Sequence, residues 1–133
     1  MKAFRAAVEA RDKDAMMACL ADDVVFTSPV AFKPYPGKAI TAAILSHVVE
    51  VFSDFRYVRE IDDAPNSALV FEASVDGKAL TGCDFLVVDE AGLITDFMVM
   101  VRPLSAAQAL AQAMGERFEQ IQADALALME GGA

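Results

Sequence analysis

Strand-like patterning dominates the centre of the chain, and helix-like patterning dominates both ends. Ser67–Val75 is rich in apolar and β-prone residues and stops at Asp76-Gly77. Asp-Gly between two apolar runs is a strong hairpin signal. A second run, Leu80–Asp89, ends at Glu90-Ala91-Gly92, and a third follows at Leu93–Val101. A further strand, Phe55–Asp62, comes before them across the turn Asp63-Ala64-Pro65-Asn66.

The helical segments are read from apolar residues three and four apart. Lys2–Ala10 is a short amphipathic helix with Phe4 and Val8 on one face. Asp12 is placed to cap a second helix, Lys13–Leu20, ended by Ala21-Asp22-Asp23. A short strand, Val24–Thr27, closes at Ser28-Pro29, since proline cannot continue a central ladder. After the stiff loop Lys33-Pro34-Tyr35-Pro36-Gly37 comes a helix over about Lys38–Phe52, with Ile40, Ile44, Val48 and Val51 or Phe52 turned inward. Pro103 stops the last strand, and Ser105-Ala106-Ala107-Gln108 matches a capping box. One long helix over about residues 105–130 is predicted from there, with Leu110, Met114, Phe118, Ile121, Ala125 and Leu128 as its stripe. At 1.5 Å per residue it is roughly 35 Å long, enough to lie partly across a partner subunit. Helices followed by a run of strands imply an α+β layer fold with an antiparallel sheet.

Composition narrows the classes. The 133 residues form one domain with one core. The apolar fraction, 56%, exceeds the soluble average, which points to a pocket or an oligomer interface beyond an ordinary core. A net charge of −9 argues against nucleic acid and anionic membrane surfaces. No run approaches the ~20 apolar residues of a membrane span, and the start has no signal-peptide layout, so a cytoplasmic location is expected. The two cysteines, Cys19 and Cys83, have no metal or redox spacing and read as buried reduced thiols. One histidine, His47, rules out a zinc site of several histidines. His47 falls at the edge of its helix stripe and reads as a boundary residue. No organic or metal cofactor is implied, as there is no glycine-rich phosphate loop and no ligand cluster.

Candidate chemistry centres on Asp84, the one carboxylate inside the apolar run Gly82-Cys83-Asp84-Phe85-Leu86-Val87-Val88. Buried without a cation, it is expected to have a raised pKa and to act as a neutral hydrogen-bond donor or acid. Asp22, Asp23, Asp62, Asp63, Asp89 and Glu90 sit at turns or element ends and read as solvated or capping groups, with the wrong spacing for a calcium loop.

Two segments resemble the nuclear-transport-factor-2-like superfamily of cone folds, which includes the SnoaL-like cyclases, limonene epoxide hydrolase and ketosteroid isomerase. Ala21-Asp22-Asp23-Val24-Val25-Phe26-Thr27-Ser28-Pro29, followed by Gly37, is similar to the isomerase's Ala-Asp-Asp, strand, Asp-Pro, loop, Gly segment. Asp84-Phe85-Leu86-Val87-Val88-Asp89-Glu90-Ala91-Gly92-Leu93-Ile94 is similar to its strand–turn–strand segment. The resemblance covers about Met1–Leu104 and implies a curved sheet wrapped round the first helices, enclosing an apolar pocket, with the C-terminal helix as an addition. It places Asp84 where the isomerase keeps a protonated acid. Ser28 stands for the general base, Phe4 for one pocket tyrosine and Leu45 for another. Val99 stands where the epoxide hydrolase has a catalytic aspartate. These replacements imply no isomerisation of a 3-keto steroid.

Strand alternation then assigns the faces. With Asp84 inward, Leu86 and Val88 face inward too, along with Leu69, Phe71, Ala73, Phe97, Val99 and Val101. The expected pocket is lined by Phe4, Val8, Leu45, Val48, Leu69, Phe71, Leu86, Phe97 and Val99. Asp84 and Ser28 are its polar groups, and Tyr35 and Tyr57 stand at its mouth. The expected ligand is a small hydrophobic molecule, bound either by an enzyme of isomerase, cyclase, dehydratase or hydrolase type or by a non-catalytic binding or dimeric structural module. The opposite face carries Phe85, Val87, Met98 and Met100. An apolar outer face implies cover, by a second copy in a homodimer or by the C-terminal helix.

Overall fold

The computed structural model describes residues 1–131. In chain order the elements are α1 (Lys2–Glu9), α2 (Lys13–Ala18), β1 (Leu20–Thr27), β2 (Tyr35–Pro36) and α3 (Lys38–Val51). Four strands follow, β3 (Ser53–Asp63), β4 (Asn66–Val75), β5 (Lys78–Val88) and β6 (Ile94–Arg102), and then α4 (Leu104–Glu116) and α5 (Phe118–Gly131). The fold is α+β, with one six-stranded sheet in the order β2-β1-β6-β5-β4-β3. β3 to β6 form an antiparallel meander. β1 joins β6 in parallel, so the sheet is mixed rather than wholly antiparallel. The chain leaves β1, crosses over through α3 to the far edge and returns by hairpins, and β6 arrives pointing the same way as β1.

The β4–β5 hairpin turns at Asp76 (φ 52°) and Gly77 (φ 76°). Two consecutive positive φ values are what a two-residue turn needs to match strand twist. Irregularities in β1, in β3 and between Val87 and Val88 bend the sheet. Its concave face carries the core, including Leu69, Phe71, Leu86 and Phe97, against Phe4 of α1 and Leu45 of α3.

α2 starts as expected, with the Asp12 side chain accepting from the Ala15 N–H at 3.1 Å. It stops at Ala18, earlier than the apolar pattern suggests, because the Ile94 N–H takes the Cys19 carbonyl at 2.8 Å and draws the chain into the β1–β6 ladder. The C-terminal segment is helical over nearly the expected range, yet it is two helices, broken at Arg117. α4 lies against β4, β5 and β6, whereas α5 runs along α3. The capping box does not form. Pro103 is the N-cap, without a side-chain cap bond, and Ser105 is an exposed residue of the first turn. Among the described residues, no helix is long and apolar enough to cross a membrane.

Candidate functional site

Asp84 sits in mid-β5, between Leu69 of β4 and Val99 of β6. Gly82 and Leu86 are buried on its face, while Cys83 and Phe85 turn the other way. Its side chain is 6% exposed. Loss of water raises its pKa from 3.8 to about 7, and the hydrogen bond from Tyr57 acts in the opposite sense. The carboxyl is therefore divided between acid and carboxylate at neutral pH. Among the described residues, Tyr57 is the only side chain bonded to it, its hydroxyl donating to Oδ2 at 3.5 Å. Burial and the Asp84 charge push the Tyr57 hydroxyl far above its usual range, so it stays a donor. Arg5 places its guanidinium 5.5 Å from the Tyr57 ring centroid and bonds Glu60.

A cavity of about 200 Å³ opens beside this pair. Every Phe and Tyr of the chain except Phe32 and Phe85 lines it. Among the described residues, Asp84 is its one charged-type group. Exposed lining residues, Val30, Gly115 and Phe118, mark its mouth.

Of the residues singled out in the sequence, Phe4, Val8, Ser28, Tyr35, Leu45, Val48, Tyr57, Phe71, Asp84, Phe97 and Val99 come together on this wall. Leu69 and Leu86 do not. They share the inner face but are 0% and 1% exposed, sealed in the core by their neighbours. Tyr57 is a buried partner of the acid rather than a residue at the mouth. Ser28 Oγ accepts from the Val30 and Ala31 N–H groups at 3.2 and 2.8 Å. This holds the turn after β1 and leaves the hydroxyl only its proton to offer.

Sequence reasoning missed the far wall. Leu110, Ala111, Met114, Gly115, Phe118 and Ile121 of α4 and α5 line the cavity. The apolar stripe that carries most of them was legible, and its first four residues line the chain's own pocket. His47 is equally unforeseen in its role. Its Nε2 meets Asp124 Oδ2 at 2.7 Å, and Arg117 Nη1 approaches its Nδ1 at 3.3 Å. With Arg117 donating to Nδ1, the proton lies on Nε2, which donates to Asp124. Arg117 also bonds Glu50 at 2.9 Å, and Lys13 bonds the same carboxylate. These bonds hold Glu50 down at about 2 and fasten α5 to α3.

Both cysteines are free and half-buried, and burial raises both thiols. Among the described residues, no cluster of His, Cys, Asp and Glu is placed to hold a metal ion.

Residues 1–97 match the model of the SnoaL-like domain family. A steroid delta-isomerase from Pseudomonas aeruginosa superposes with a TM-score of 0.84 at 39% identity, covering 90% of this chain and 89% of its own. An uncharacterized protein with a cystatin-like fold from Silicibacter pomeroyi also reaches 0.84, at 34% identity and 92% of each chain. A putative ketosteroid isomerase from Kribbella flavida, 20% identical with a TM-score of 0.63 over 77% of this chain and 74% of its own, shares the fold. No curated protein sequence matches the chain.

Proposed function

Because the chain belongs to the SnoaL-like domain family, we propose that it binds a small, neutral, hydrophobic molecule in the aromatic cavity and moves a proton on it, in an isomerase-type reaction in which Asp84 takes the proton as carboxylate and returns it as acid. The observation that carries this reading is a carboxyl buried among aromatic rings and, among the described residues, bonded by Tyr57 alone. A group titrating near neutrality gives and takes a proton with little driving force against it. The likeness to a steroid delta-isomerase supports the reaction type. The test is hydrogen–deuterium exchange at the carbon beside the carbonyl of small cyclic ketones in D2O. Wild-type protein speeds it, and Asp84→Asn does not. Binding without faster exchange favours the second reading, a non-catalytic ligand-binding module, which the absence of a second carboxyl from the cavity wall supports.

We further propose that the chain forms a homodimer through the convex sheet face. Strand register aligns Ile61, Ala68, Phe85 and Met98 in one row and Val70, Cys83 and Met100 in the next. Phe85 is 38% and Met100 54% exposed. The C-terminal helices, the other candidate cover, lie on the concave side instead. An apolar patch of this kind on a sheet is a usual site of association.

A further inference from the structure

Gly82 lies directly opposite Phe71 in the β4–β5 ladder. A Cβ at position 82 would stand 2.2 Å from Phe71 Cζ, 2.6 Å from Cε2 and 2.9 Å from Cε1. The tip of the ring therefore fills the space that any side chain at 82 would take. The ring is pinned on its other sides. It stacks on Phe55 with centroids 5.0 Å apart, meets Phe52 at 5.6 Å and stands edge-on to Tyr57 at 6.5 Å. All four rings line the cavity. Asp84 is two residues beyond Gly82 on the same face of β5, so the ring beds down next to the acid.

We propose that the pocket admits neutral single-ring compounds carrying one hydrogen-bond acceptor, and that Phe71, seated in the gap left by Gly82, is the wall that sets this limit. The proposal rests on the ligand-site reading above and names its substrate class. A volume of about 200 Å³ lies between the ~150 Å³ that holds benzene and the ~300 Å³ at which drug-sized pockets begin. One six-membered ring with a substituent fits, and a fused second ring must displace a wall or stand out through the mouth. Phe71 cannot yield outward, because the β5 backbone is behind it. Asp84 in its acid form donates from the wall, and so does the Ser28 hydroxyl, so the wall matches a carbonyl or ether oxygen. Among the described residues, the wall has no cation to balance a carboxylate or a phosphate.

The test titrates cyclohexenone, tetralone (two fused rings) and androstenedione (four) into wild type, Phe71→Leu, Gly82→Ala and the double variant, read by backbone amide NMR shifts. In wild type, cyclohexenone binds at least about tenfold tighter than tetralone, against the order of their hydrophobicity. Phe71→Leu, which enlarges the cavity, removes most of that preference. Gly82→Ala drives the ring into the cavity and weakens cyclohexenone at least about tenfold, and adding Phe71→Leu restores it to within about threefold of wild type. Tetralone or androstenedione binding wild type more tightly than cyclohexenone, or an unchanged preference in Phe71→Leu, overturns the size limit and leaves the pocket a ligand site. No shifts with any of the three ketones in folded wild type overturn the ligand-site reading and the proposal together. If Gly82→Ala does not fold, the Phe71→Leu comparison decides alone.

Discussion

The Tyr57 hydroxyl donates to Asp84 Oδ2 at 3.5 Å inside a cavity walled mostly by hydrocarbon and aromatic rings. This bond favours the carboxylate, and burial opposes it more strongly. Tyr57→Phe removes the only bond that favours the charged form. The expected result is an Asp84 carboxyl titrating above its wild-type midpoint, read from its carbon-13 shift against pH. An unchanged or lower midpoint would mean that the hydroxyl does not act on the acid.

Asp84 also couples stability to pH. Its folded pKa is raised from 3.8 to about 7, so between these values the folded protein holds a proton that the unfolded chain has lost. Stability therefore falls as pH rises through this window and is flat above it. The loss is about three pH units at ~1.36 kcal/mol each, or about 4 kcal/mol. Asp84→Asn carries no such penalty. Its denaturation midpoint in urea should exceed that of wild type at pH 8 and lose the advantage by pH 4. An advantage independent of pH would contradict the assignment.

The clasp between α3 and α5 makes a separate prediction. His47→Leu removes the bonds to Asp124 and to Arg117 while keeping the buried volume. Both partners are partly exposed, so the global cost is only about 1–2 kcal/mol. The local effect is larger. Amide exchange over Phe118–Gly131 should speed up at least about tenfold while the β4–β5 amides change little. Uniform acceleration across the chain would mean that His47 supports the core and not the clasp.

The convex face gives a test of assembly. Light scattering at micromolar concentration should report a dimer. Met100→Glu, at the β6 end of the second apolar row, should give a folded monomer. A wild-type monomer, or a dimer untouched by Met100→Glu, would remove this interface.

Where pattern and local chemistry agree, the fold was legible. The Asp76-Gly77 turn, the alternation that turns Leu69, Phe71 and Asp84 to one face, and the Asp12 cap are all local features. The acid was legible for the same reason, since a carboxylate in an apolar strand stands out. The C-terminal half of the pocket was not. Leu110, Met114, Phe118 and Ile121 keep their helical spacing straight across Arg117, so periodicity cannot register a one-residue break. Periodicity also cannot say what a stripe packs against, and here that is the chain's own cavity. His47 and Asp124 are 77 residues apart, and Tyr57 and Asp84 are 27 apart. Such pairs exist only once the sheet and α5 are in place. The parallel β1–β6 pairing is of the same kind, a consequence of the crossover rather than of any local signal.

The central claim is that Asp84 is an acid held by an apolar cavity in the neutral range. Carbon-13 NMR titration of its carboxyl, assigned with Asp84→Asn, measures this directly. A midpoint near 7 is expected. A midpoint at or below about 4, the ordinary carboxylate value, would mean a solvated or donor-satisfied carboxylate and would contradict the proton-transfer reading.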